Sequence, residues 1–160
     1  MDTLDRTIEV LGGECPVGDE EFFAGLAEGR ARLREDLVSR YGGEVEDHFG
    51  AAKRATAGWS REDYEQAAAD ARELLTRMSQ ARSRGVSPGD DEALDLVADH
   101  HRGVLVLRPA DSAAYHALGE VLVDNSEQRP LVAAIDPQLP AWLSAAIKAY
   151  AICRLGHNQA

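Results

Sequence analysis

Apolar residues recur along most of this chain at three- and four-residue intervals, the spacing that lays them on one face of an α-helix. Leu4, Ile8 and Leu11 form one narrow stripe on a short helix over residues 3–11, which Gly12 and Gly13 end. A stripe that narrow suits a helix–helix seam, so these three side chains are the candidate contact of a homodimer. The stretch ECPVG (14–18) reads as a connector, because Pro16 and Gly18 both disfavour regular structure. Asp19 is then expected to cap a helix from Glu20 to about Tyr41, with Phe22, Phe23, Leu26, Leu33 and Leu37 on its apolar side. Gly25 and Gly29 each weaken that helix by about 1 kcal/mol relative to Ala, which predicts conditional order. Gly42 and Gly43 close it, and a shorter helix from Glu44 to Thr56 presents Val45 and Phe49.

GWSREDY (58–64) is the clearest start signal in the chain: Ser60 is an N-cap and Asp63 sits where a carboxylate reaches back to it. From Tyr64 to Met78 apolar residues recur at helical spacing, many of them Ala, and Gly85 supplies the stop. SPGDDE (87–92) turns the chain into a helix from about Asp91 to Leu107. Leu94, Val97, His101 and Val104 share one face of it, and Ala93, Leu96, His100 and Leu107 the adjoining one. Pro109 breaks that helix, Asp111 or Ser112 caps the next, and Tyr115, Leu118, Val121 and Leu122 point inward as far as Asn125. After a short segment around Pro130–Ile135, Pro137 and Pro140 introduce a last helix with Trp142, Leu143, Ile147, Tyr150 and Cys153, stopped by Gly156.

The pattern predicts an all-α protein of about seven helices forming a single globular domain. Composition supports this: the chain is rich in Ala and Glu, is 44% hydrophobic, and has no useful run of alternating apolar and polar residues. Its 160 residues are enough for one domain with a real core. A formal charge of −11, from 17 basic and 28 acidic residues, argues against phosphate neutralisation as a basis of binding, so no direct nucleic-acid partner is expected. No apolar stretch approaches the roughly 20 residues that cross a bilayer, and the N-terminus lacks a signal-peptide pattern, so the expected setting is the cytoplasm without membrane attachment. Cys15 and Cys153 lie near opposite ends with no CxxC spacing, and read as free thiols.

Candidate chemistry gathers in Leu94–Leu122, where His100, His101, Tyr115 and His116 flank the break at Pro109 beside the apolar run Val104–Leu107. No GxSxG, phosphate loop or HExxH spacing is present, so no catalytic residue and no cofactor is assigned. Adjacent histidines on a helix point about 100° apart, which disfavours a shared metal, and no metal site is assigned. A small enzyme using His100 or His116 as a base remains a distant alternative. Large rings carrying one polar atom each, together with Trp59 and Tyr64, suit a flat, semi-polar ligand held by stacking and a few directed hydrogen bonds.

RYGGEVEDHFGAAKRATAGWSREDYE (40–65), ARSRGVSP (81–88), LVADHHRGVLVL (96–107) and YHALGEVLVDN (115–125), in this order and spacing, resemble the TipAS antibiotic-recognition domain. That domain is the ligand-binding C-terminal half of TipA-like MerR-family transcription regulators, and the resemblance covers most of residues 19–150. It implies a globin-like, non-enzymatic domain that binds thiopeptide and other polycyclic or aromatic natural-product antibiotics between its helices. It also implies N-terminal helices that order when ligand arrives, in line with the glycine-weakened helix. The family prototype captures its ligand through a cysteine just after a proline at the helix break. Here Pro109 is followed by Ala110 and Asp111, so non-covalent binding is expected.

LDRTIEVL resembles the tail of the dimerisation helix of such regulators, while 160 residues leave no room for their winged-helix half. The expected organisation is therefore a short helix and connector (1–18), the ligand-binding domain (19–156) and a tail (157–160), serving drug sequestration or the sensor role of a regulator. Phe49, Trp59, Tyr64 and Tyr115 are the expected stacking walls, and His100, His101, Arg108 and His116 the expected polar contacts. The alternative is a helical interaction or dimerisation domain with no small-molecule ligand.

Overall fold

A computed structural model describes residues 18–156. The expected helix over 3–11, with Leu4, Ile8, Leu11 and the neighbouring Cys15, and the tail at 157–160 lie outside the described residues. Within them the protein is all-α. Seven helices are present: α1 (Asp19–Tyr41), α2 (Glu44–Ala55), α3 (Arg61–Ser83), α4 (Asp91–Leu107), α5 (Ser112–Asp124), α6 (Gln128–Ala133) and α7 (Leu139–Cys153). The described residues group into two compact units, with the boundary between Asp70 and Ala71 inside α3.

The first unit holds α1, α2 and the start of α3. Helix α1 begins one residue earlier than the sequence suggested, and its cap is Gly18 rather than Asp19. Gly18 adopts the extended backbone that a cap requires, and its carbonyl accepts the Phe22 amide at 2.9 Å. The Asp19 carboxylate, now in the first turn, turns outward to Arg61 at 3.0 Å. Gly42 ends α1 at φ 86°, a backbone conformation that costs glycine little. Helix α2 stops at Thr56, whose hydroxyl and amide both donate to the Ala52 carbonyl. The start of α3 is the reciprocal capping box read from the sequence: the Asp63 amide donates to Ser60 Oγ at 3.2 Å, and the Ser60 amide to Asp63 Oδ2 at 2.9 Å.

The second unit carries the rest of α3 and helices α4–α7 around one core. Met78 and Ala81 of α3, Leu94 and Val97 of α4, Tyr115 and Leu122 of α5, Val132 of α6 and Leu139, Leu143 and Ile147 of α7 meet there. Helices α5 and α7 approach closely at Gly119. A Cβ at that position would stand 3.1 Å from the Ser144 carbonyl oxygen and 3.3 Å from Ile147 Cγ2.

Gly85 closes α3 with φ 88° and a Schellman pair, Val86 N–H to Ala81 O and Gly85 N–H to Arg82 O. The Trp142 indole N–H donates to the Val86 carbonyl at 2.9 Å and so ties that turn to α7. Asp111 caps α5 through the Ala114 amide at 2.9 Å. The segment expected around Pro130 is helix α6, which starts two residues before the proline. Pro130 falls in its first turn, where no amide is needed, and buried Asn125 accepts the amides of Glu127 and Gln128 ahead of it.

Candidate functional site

In the first unit, the capping box delivers two of the expected walls together. Trp59 and Tyr64 flank the start of α3 and meet edge to face, with ring centroids 5.1 Å apart. Phe22 and Phe23 of α1 complete the cluster, 6.3 and 5.9 Å from the Tyr64 ring. The Arg61 guanidinium lies 5.0 Å above the Phe22 ring, within cation–π range, and also bonds Glu65. Phe22 is buried, Trp59 and Tyr64 are half-buried, and Phe23 is 39% exposed. Phe49 is half-buried on α2, outside this ring cluster. Phe22 and Phe23 were read from the sequence only as the apolar side of a helix. Consecutive residues on a helix point about 100° apart, so Phe22 turns inward while Phe23 keeps an exposed face.

In the second unit, the expected rings around Pro109 divide into two kinds. His101 is buried at 7% exposure, and its Nε2–H donates to the Ala110 carbonyl at 2.9 Å, tying α4 to the residue after the proline. Tyr115 has no exposed surface. Its ring lies 4.5 Å from that of His101 and 5.7 Å from that of Tyr150, both centroid to centroid. In this structure the enclosed Tyr115 ring presents no free face, and His101, bonded to a backbone carbonyl inside the core, holds the turn in shape. Large rings at the Pro109 break were needed to fill the space between α4, α5 and α7. Tyr150, read as core from the sequence, is the third ring of this enclosed group.

His100, Arg108 and His116 are the half-buried members. His100 Nδ1 lies 2.7 Å from Tyr115 Oη. Burial foremost, then the neighbouring His101 and Arg108, pushes the His100 pKa down to about 4, so its ring is neutral near pH 7. Burial likewise raises the Tyr115 phenol, with Tyr150 adding to the shift, and lowers Arg108. A neutral His100 ring and a partly desolvated Arg108 guanidinium thus lie in this unit, and Leu105 and Val106 of α4 are 47% and 65% exposed. Among the described residues no group of three metal-ligating side chains assembles, and no helix is long and apolar enough to cross a membrane.

The family model of the TipAS antibiotic-recognition domain matches residues 33–150. The chain belongs to that family. Among solved structures it is similar to TipAS from Streptomyces lividans in complex with nosiheptide, described as part of a thiopeptide antibiotic multidrug resistance system. The TM-score is 0.67 and the identity 25%, over 76% of this chain and 85% of that one. Among curated proteins it is similar to the HTH-type transcriptional regulator SkgA of Caulobacter vibrioides, in two strains, at 28% identity over 155 residues. That alignment takes in 94% of this TipAS-family chain and 60% of the regulator's length.

Proposed function

We propose that this chain binds a bulky polycyclic or aromatic natural-product antibiotic, of the thiopeptide kind or similar, reversibly and without chemical conversion. The observation that carries this reading is the family match across most of the chain, joined to a similar fold in a protein solved with nosiheptide. Within the first unit, half-buried aromatic rings at the start of α3 offer stacking; within the second, half-buried polar rings on α4 and α5 offer directed hydrogen bonds. Phe49, Trp59, Tyr64 and the exposed Phe23 are the stacking candidates. His100, Arg108 and His116 are the polar ones.

Reversibility rests on the turn itself, where buried Ala110 and the capping Asp111 follow Pro109 and no thiol is offered. Similarity to a transcription regulator over 94% of the chain favours a sensor role over plain sequestration. Thermal-shift titration against a panel of thiopeptide and aromatic-peptide antibiotics tests the reading. A ligand at a hundredfold excess over its Kd stabilises the fold by about 2.7 kcal/mol, so at least one member should raise the melting temperature by several degrees. No shift with any member would count against antibiotic binding, and would favour the alternative of a helical interaction domain.

A further inference from the structure

The hydrogen bond between His100 and Tyr115 bears on which ring nitrogen of His100 carries the proton. Tyr115 Oη has two neighbours able to accept its proton: His100 Nδ1 at 2.7 Å and the Val97 carbonyl oxygen at 3.4 Å. The first distance is ordinary for a hydroxyl donor, whereas the second lies beyond the 2.5–3.0 Å of a sound O–H···O bond. If His100 Nδ1–H donated instead, the phenol proton would be left with the distant carbonyl alone. The phenol has its pKa raised by burial, so that proton is always present to be placed. The favoured arrangement therefore has Tyr115 donating to an unprotonated Nδ1, and the His100 proton on Nε2.

The far side of the ring is available. Among the described residues Tyr115 is the one side-chain hydrogen-bond partner of the His100 ring, and no fully buried side-chain nitrogen or oxygen lacks a partner, so Nε2 is not sealed inside the protein. His101, one residue on, is already committed to Ala110 and cannot serve in its place.

Building on the antibiotic-binding reading, we propose that His100 is a specificity-determining donor. Tyr115 holds its Nε2–H outward to receive an uncharged acceptor on the ligand, either an amide carbonyl or an unprotonated ring nitrogen of an aromatic heterocycle. A fixed neutral donor gives an ammonium group nothing to bind. It also gives a carboxylate less than a charged imidazolium would, so uncharged heteroaromatic or peptide ligands are favoured over ionic ones. Tyr115, enclosed in the core, acts through His100 as a positioning residue.

The test joins ring NMR to calorimetry on the full chain, with nosiheptide as the probe. In ligand-free, 15N-labelled protein near pH 7, long-range proton–nitrogen correlations should show His100 protonated at Nε2 and bare at Nδ1. Tyr115→Phe should release it to a mixture of the two forms. His100→Phe, checked for an unchanged helical signal, should weaken nosiheptide binding about tenfold, in line with an unmade hydrogen bond to a desolvated acceptor. His100→Gln, whose amide nitrogen sits near the place of Nε2, should recover part of that loss. A His100 protonated at Nδ1 in the ligand-free chain would overturn the proposal whether or not nosiheptide binds. So would unweakened binding by His100→Phe. Failure of the unaltered chain to bind nosiheptide, with His100 nonetheless protonated at Nε2, would instead count against the thiopeptide reading.

Discussion

His100 is the residue where burial and function meet most directly. Its pKa is near 6.5 in the unfolded chain and about 4 in the folded one, so below pH 6.5 the unfolded state binds the extra proton first. The stability held above pH 6.5 is therefore lost as pH falls toward 4. The shift corresponds to about 3 kcal/mol across that window. Chemical denaturation at pH 7 and pH 4.5 should show His100→Gln losing less stability on acidification than the unaltered chain; equal losses would mean that the ring is not held neutral by burial. Trp59 and Tyr64 belong to the same scale. Each retains some exposed ring surface beside the other, so Trp59→Ala should weaken ligand binding by about 2 kcal/mol, roughly thirtyfold in Kd, with a smaller effect on the melting temperature. The sequence disclosed that polar rings gather near Pro109, but not which are enclosed. Periodicity placed His101 and His100 on adjoining faces that both border apolar surface, and only the position of the Ala110 carbonyl decides that His101 is consumed by the fold.

At the scale of the helices, punctuation in the sequence was a good guide because capping is a local matter. The Ser60–Asp63 box, the Gly85 stop and the Asp111 cap depend on residues within a few positions of one another, and each forms as the local pattern dictates. Long-range partners were not legible. Asp136, between α6 and α7, is buried and accepts from Arg82 Nε at 2.6 Å, Ser79 Oγ at 2.9 Å and the Gln138 amide at 2.9 Å. The Gln138 amide, followed by Arg82, holds its pKa below the usual carboxylate range. Nothing in the turn's own sequence announces a partner more than fifty residues away.

Gly119 is the other such case, a helical glycine with an ordinary sequence context and a backbone carbonyl 3.1 Å from where its Cβ would stand. Gly119→Ala gains about 1 kcal/mol of helix propensity but overpacks the α5–α7 seam at a cost of about 1–3 kcal/mol. A net loss of roughly 1 kcal/mol in urea denaturation is the expected outcome, and a more stable variant would show that the seam yields easily.

For the molecule as a whole, the all-α architecture was evident from periodicity, whereas the division into two compact units was not. The boundary falls inside α3, a continuous helix without proline or glycine, so there is no break in the chain for a sequence to reveal. The first unit holds a set of aromatic rings, the second a set of polar ones, and the family model that matches the chain is named for antibiotic recognition. Absence of a thiol after Pro109 adds that a bound ligand should come off intact. Intact-mass spectrometry after incubation with nosiheptide should show the unmodified chain, and an adduct there would contradict reversible binding. The central claim is most directly tested by isothermal titration calorimetry of the full chain with nosiheptide at several temperatures. Saturable binding with a negative heat-capacity change is the result expected of aromatic surface buried against Trp59 and Tyr64; the absence of any saturable heat at all temperatures, from a chain that melts cooperatively, would contradict it.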